Sequence, residues 1–262
     1  LLDNTICEMH RSGEKWNLIR VRTDKQNSVD NGVAFGNDFR IAELIYMNYT
    51  NPLTLKDLYS PTVDGYFQVH DNPIYKAQRG YNSFVKNCLL GQFKNTEWVI
   101  DMGGGKGQDL FRYIKNGIKN VLFIDSDIVA LNELIIRKYS FVNNKNINGQ
   151  ISIYIMHMDL TTSSKLIADK IYDTNFGISK NGVPLIVCNL AIHYLLSDRA
   201  EAENTVGFIN QMLSNKGRFI FTGFDGANIF DILEESKGKF VIEEDGKVKF
   251  SIRKRYKDTK FV

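Results

Sequence analysis

One segment, VIDMGGGKGQDL (Val99 to Leu110), constrains what this chain can fold into more tightly than any other. An apolar run carries a strand into Asp101, glycines stand at 103, 105 and 107, and a helix-like stretch follows. Glycine is needed where backbone must take a positive φ or pass close to a ligand. The helix behind such a turn offers unpaired N–H groups and the positive end of its dipole to whatever the loop holds. A dinucleotide-binding loop would read GxGxxG, and that test fails here. Counting from Gly103 puts Gln108 in the last place, and counting from Gly105 puts Leu110 there.

The pattern around this loop fixes the architecture. WVIDM (Trp98 to Met102), NVLFID (Asn120 to Asp125), SIYIM (Ser152 to Met156), PLIVCN (Pro184 to Asn189) and GRFIFTG (Gly217 to Gly223) read as buried strands. Helix-like segments separate them, around Gln108 to Asn116, from Ile128 to about Tyr139, and from Ser163. Strands alternating with helices predict an α/β fold: a Rossmann-like, mostly parallel central sheet with helices on both faces. In such a sheet the ligand crevice lies beyond the carboxyl ends of the strands.

Residues 1–60 read as a separate N-terminal extension. WNLIRVRTDK is strand-like, QNSVDNG a polar loop and DFRIAELIYMNY a helix. Residues 61–262 form the main domain, opened by a segment of helical period from about Ile74 to Phe93. Its apolar Tyr81, Phe84, Val85, Cys88 and Leu89 fall on one face. With 43% hydrophobic and 24% charged residues among 262, the chain can bury a sizeable core. No apolar run approaches the roughly 20 residues that span a bilayer, and LLDNTICEMHRSGEKW does not read as a secretory leader. Cys7, Cys88 and Cys188 are far apart and form no metal-ligand spacing, so no metal is expected. A net charge of +3 does not by itself announce a nucleic-acid binder. The tail from Lys237 to Lys260 holds nine Lys or Arg against four Asp or Glu, which could line a phosphate path or simply be a solvated face.

Two further positions stand at expected strand ends. Asp125 closes the second strand, where a carboxylate has acceptor sites for both hydroxyls of a ribose; the neighbouring Asp127 suits a helix N-cap. The fourth strand runs into CNLAIHYLL, which lacks the [ND]PPY of enzymes that methylate exocyclic amines. Its His193-Tyr194 pair falls past the carboxyl end of the central strand, at the reaction edge.

Taken together, these residues carry a resemblance. The D-x-G-x-G-x-G run resembles the loop that cradles the methionine half of S-adenosylmethionine. VIDMGGGKGQDL, FIDSDIVA, CNLAIHY and GRFIFTGFDG are similar, in order, to the signature segments of the messenger RNA cap guanine-N7 methyltransferases. NPIYKAQRGYNSFVKNCLLGQF resembles that family's helix before the first strand, with Tyr81, Ser83 and Phe84 departing from its usual phenylalanine, second asparagine and tryptophan. Asn189 stands where a glutamine is frequent. The resemblance implies a class I methyltransferase fold with S-adenosylmethionine as cofactor and S-adenosylhomocysteine as product. It implies that Lys86 meets the cofactor carboxylate, Gly103 and Gly105 shape the loop, Asp125 takes the ribose and Asp159 the adenine. Asp101 and Asn189 complete that cofactor set. Asn82, His193 and Tyr194 would face the cap guanosine, and Arg79 or the basic tail the bridge phosphates.

WNLIRVRTDKQNSVDN is similar to the final motif of the capping guanylyltransferases, whose RxDK lies in an oligonucleotide-binding fold. Both resemblances together are those of the large capping enzymes of cytoplasmic DNA viruses, in which a methyltransferase follows a guanylyltransferase. They imply capped, GpppN-ended RNA as substrate, a guanylyltransferase domain in the same parent chain, and no membrane partner. The place implied is the host cytoplasm at the viral factory, with the virion as a second. Guanine N7 carries no proton, so no general base is expected, and His193 and Tyr194 would position the base. Two rival readings stay open: a silent binding subunit with the same fold, and a methyltransferase for another nucleobase or a protein.

Overall fold

The computed structural model describes residues 5–13, 15–32, 39–52, 73–142 and 151–255. It separates into two compact units, Leu1–Thr50 and Asn51–Val262. The boundary expected at residue 60 lies outside the described residues.

In the smaller unit β1 (Cys7–Ser12) pairs antiparallel with β2 (Lys15–Val21). The segment expected as a polar loop is instead part of a helix, Thr23–Asp30, with no buried residue. Local polar partners hold it in place of an apolar face. The Arg22 carbonyl accepts from the backbone N–H groups of Lys25 and Gln26. The Gln26 side chain accepts from the Ile6 N–H at 3.2 Å and donates to Asp30 at 3.2 Å. Of the RxDK residues, Arg22 is paired with Asp24 at 2.7 Å and with Glu8 at 3.4 Å. The expected helix downstream spans Phe39–Thr50.

The larger unit is built on one five-stranded sheet in the order β5-β4-β3-β6-β7. Its strands are β3 (Trp98–Met102), β4 (Asn120–Asp125), β5 (Ser152–His157), β6 (Val183–Asn189) and β7 (Leu213–Thr222), all pairing in parallel. The strand period sends alternate side chains to opposite faces, and both faces are apolar, so each must be covered. On one, Trp98, Ile100, Leu122, Ile186 and Cys188 pack with Ile167 of the helix Ser164–Asp173 and Phe208 of the helix Arg199–Met212. On the other, Val99, Val121, Phe123 and Val187 pack with Leu90 of Pro73–Leu90, Leu110 of Leu110–Lys115 and Leu134 of Ile128–Val142. This is the doubly covered, Rossmann-like fold of class I methyltransferases. The strand order reverses between β3 and β6, which makes the carboxyl ends of those strands the switch point where such sheets bind ligands.

The Pro73–Leu90 helix has the expected period but not the expected buried face. Tyr81, Phe84 and Cys88 are exposed, Val85 and Leu89 half-buried, and among the described side chains the buried positions are Lys86 and Leu90. An ion pair draws Lys86 inward, and Leu90 follows one turn later into the core. After β7 come a helix, Gly226–Glu235, and an antiparallel hairpin of β8 (Lys239–Glu244) and β9 (Lys247–Arg253). No helix among the described residues is long and apolar enough to cross a membrane.

Candidate cofactor and substrate site

The glycine loop leaves β3 and turns back over the end of β4. Gly103, Gly105 and Gly107 all have positive φ, at 73°, 49° and 65°. The Gly103 N–H donates to the Ile124 carbonyl at 2.8 Å, and a Cβ on Gly103 would stand 2.5 Å from that of Ala191. No other residue could bring the end of β3 so close to the segment leaving β6. The Gly105 N–H donates to one carboxylate oxygen of Asp125 at 2.7 Å, and the Asp127 N–H to the other at 2.8 Å. Asp125 therefore closes the loop as well as ending β4. Asp127 accepts from the N–H groups of Val129 and Ala130, the N-cap role expected for it.

A cavity of about 390 Å³ opens at this edge. Its walls include Lys86, Asp101, Gly103, Gly105, Asp125, Asp159, Asn189 and Tyr194, so eight of the ten residues singled out in the sequence meet there. Asn82, half-buried on the Pro73–Leu90 helix, and the exposed His193 are not among its walls. His193 sits in the turn Ile192–Tyr194 beyond β6, its ring 4.0 Å from that of Tyr194. Asp159 accepts from the N–H and hydroxyl of Thr161, both on Oδ1.

Sequence reasoning missed the residue around which this site is organised. Asp109 is buried, and its Oδ2 accepts from Lys86 Nζ at 2.9 Å and from the Asn189 side-chain amide at 2.9 Å. Its Oδ1 accepts from Arg112 at 2.7 Å. Asn189 in turn accepts from the Thr222 hydroxyl at 3.1 Å. Asp109 precedes the Leu110–Lys115 helix, which starts slightly later than expected, but does not cap it with its side chain. The signal was inside the quoted motif, but an acid there reads first as a cap. A second unforeseen feature is Leu190, with φ of 60° and its N–H donating to the Thr222 carbonyl. Strain of this kind gathers where a site requires it.

Asp101, behind the loop, accepts from the buried Tyr113 hydroxyl at 2.8 Å. Burial, reinforced by the Asp109 charge and opposed by the Tyr113 hydroxyl and Lys86, pushes its carboxyl up to about 7. Burial also pushes the Cys188 thiol up to about 12, so it offers no thiolate nucleophile. The cavity walls carry Asp101, Asp109, Asp125, Asp127 and Asp159 against Lys86 and Lys106. That balance suits a ligand bearing positive charge. No group of His, Cys, Asp and Glu suited to a metal ion occurs among the described residues.

The mRNA-capping enzyme of African swine fever virus (isolate Pig/Kenya/KEN-50/1950) is 35% identical over 93% of this chain and 28% of its own length. A probable mRNA-capping enzyme of Acanthamoeba polyphaga mimivirus is 26% identical over 94% of this chain and 24% of its own. This chain thus spans about a quarter of the length of those relatives. It is also similar, at 17% identity, to the crystal structure of an S-adenosylmethionine-dependent methyltransferase from Clostridium acetobutylicum. That likeness has a TM-score of 0.40 and covers 62% of this chain and 55% of the other. The model of the mRNA (guanine-N(7))-methyltransferase domain matches residues 56–261, and the chain belongs to that family.

Proposed function

We propose that this domain methylates N7 of the guanine cap on messenger RNA, with S-adenosylmethionine as donor. The observation that carries the reading is an acidic cavity at the switch point, walled by the glycine loop and by Tyr194, in a chain of this family. When bound, the cofactor supplies a methyl group on a sulfonium: the N7 lone pair forms the new N–C bond as the S–C bond breaks, leaving that electron pair on sulfur and the positive charge on the purine.

The residues present fit such a cofactor. Each oxygen of Asp125 holds one backbone N–H, and a carboxylate has about four acceptor positions, so two remain for ribose hydroxyls. Lys86 gives one of its three donors to Asp109, and the others can reach a carboxylate. Asp159 keeps acceptor capacity on Oδ2 for an adenine amino group. Gly103, Gly105 and Asp101 shape and charge the methionine end, and Asn189 acts there through Asp109.

No proton has to leave N7, so the chain's task is alignment, which can supply on the order of 7–11 kcal/mol, and a favourable field for the moving charge. His193 and Tyr194 position the guanine, Asn82 lies on the substrate side, and Arg79 or the basic tail meets the phosphates. The same reading makes capped RNA the substrate and a guanylyltransferase domain of the parent chain the neighbour, at the viral factory in host cytoplasm.

The test is transfer of labelled methyl to GpppA-ended RNA compared with uncapped RNA, with His193→Ala alongside. Cap-dependent labelling that falls in the variant supports the proposal. Equal labelling of uncapped RNA would assign another acceptor, and cofactor binding without any transfer would leave a silent binding subunit.

A further inference from the structure

Three aromatic rings run outward from the cavity wall. Tyr194 lines the cavity, and its ring lies 4.0 Å from that of His193 at an interplanar angle of 43°. His193 in turn meets Phe224 edge-on, with centroids 6.0 Å apart and planes at 61°. Tyr194 is 51% and Phe224 61% exposed. Phe224 thus stands exposed beside His193, whose ring adjoins the cavity wall at Tyr194.

The backbone holds Phe224 at that edge. Thr222, the last residue of β7, is in register with Asn189, the last of β6, and its carbonyl accepts from the Leu190 N–H at 2.9 Å. A Cβ on Gly223 would stand 3.2 Å from Ile192 Cγ2, so the strand end closes against the turn that carries His193. Beyond Phe224, Asp225 caps the Gly226–Glu235 helix, accepting from the Asn228 N–H at 3.1 Å. The backbone of Phe224 is thus held between a strand end and a helix start, beside the turn that carries His193.

We propose that Phe224 is a substrate-contacting residue that stacks on the purine receiving the methyl group. This rests on the cap-methylation reading. A flat apolar face suits any base, and stacking of this kind is sequence-tolerant. It also gains strength along the reaction. Positive charge grows on the purine as the N–C bond forms, and an aromatic face attracts a cation. An interaction stronger in the transition state than in the ground state accelerates the step.

The experiment compares the parent chain with Phe224→Ala, Phe224→Leu and Phe224→Trp, measuring methylation of GpppA-ended RNA and S-adenosylmethionine binding by calorimetry. Phe224→Ala should lower kcat/KM for capped RNA by about tenfold or more, and Phe224→Leu should fall nearly as far, because it keeps bulk but has no π face. Phe224→Trp should keep most of the activity, and cofactor affinity should stay at the parent value in all three. Parental activity in Phe224→Leu overturns the stacking role while leaving cap methylation standing. Loss of cofactor binding in step with activity also overturns it, since the ring would then serve the fold. A parent that binds cofactor but methylates no capped RNA removes the underlying reading, and this inference with it.

Discussion

Replacing Asp109 with Ala should destabilise the domain by about 3–5 kcal/mol, the usual cost of breaking a buried ion pair by removing one partner. Lys86 and Asp109 meet at 2.9 Å with side chains only 11% and 7% exposed. At an effective dielectric of about 20, charges at that separation attract by roughly 6 kcal/mol, which offsets the several kcal/mol of hydration each ion has given up. Without the carboxylate the ammonium keeps that loss uncompensated, and the Asn189 amide loses its acceptor. Arg112 is less affected, because it also bonds the Asn87 side chain and the Ser83 hydroxyl. Urea unfolding at neutral pH provides the measurement. Asp109→Asn should fall between parent and Ala, since it retains an acceptor oxygen without the charge. The double variant Lys86→Met/Asp109→Leu should recover at least about 1 kcal/mol relative to Asp109→Ala, because no orphaned ammonium remains. An Asp109→Ala domain within about 1 kcal/mol of the parent would refute the reasoning, as would a double variant no better than the single one. Either result would mean that water reaches Lys86 once its partner is gone.

Removing the Asp125 carboxylate by Asp125→Ala should weaken S-adenosylmethionine binding by roughly 1.5–3 kcal/mol. Gly105→Val should weaken it further, because the backbone there has φ of 49°; unchanged affinity in both by calorimetry would sink the cofactor assignment. Asp101 has a folded-state value of about 7, above the ordinary carboxylate range, so the folded state keeps a proton that the unfolded chain releases. Stability should therefore fall as pH rises from about 4 to about 7, and an Asp101→Asn domain with the same slope would refute this.

The parallel sheet is legible because β3, β4 and β6 are apolar runs of strand length with a polar residue at or next to the carboxyl end, and burial on both faces accounts for such runs. The glycine loop is legible for a related reason. A glycine loop over a strand end demands particular backbone angles, and only a few residue types satisfy them. The Thr23–Asp30 helix hides, since a helix polar on every side shows no apolar period. The Pro73–Leu90 helix shows its period, yet its face is misread: Lys86 is buried and Tyr81 and Phe84 are exposed, the reverse of what hydrophobicity predicts.

These misreadings share a physical cause. Lys86, the neighbouring Asp109 and Arg112, and Asn189 come from three separate stretches of chain, and only the fold brings them within hydrogen-bond distance. Hydrophobic patterning ranks positions one at a time, whereas the burial of a charge is decided by a partner elsewhere in the chain. An ammonium that the pattern assigns to solvent goes inside because a carboxylate is already there. The exposed rings follow the converse rule. Tyr194 and Phe224 are exposed, although apolar patterning assigns such side chains to the core. Both departures from the hydrophobic pattern border one cavity, Lys86 and Asp109 on its walls and Phe224 beyond Tyr194 and His193 at its edge. Local rules that fail together at one place mark a site under functional demand, and the proposed site would hold a cation among carboxylates and a flat base against exposed rings.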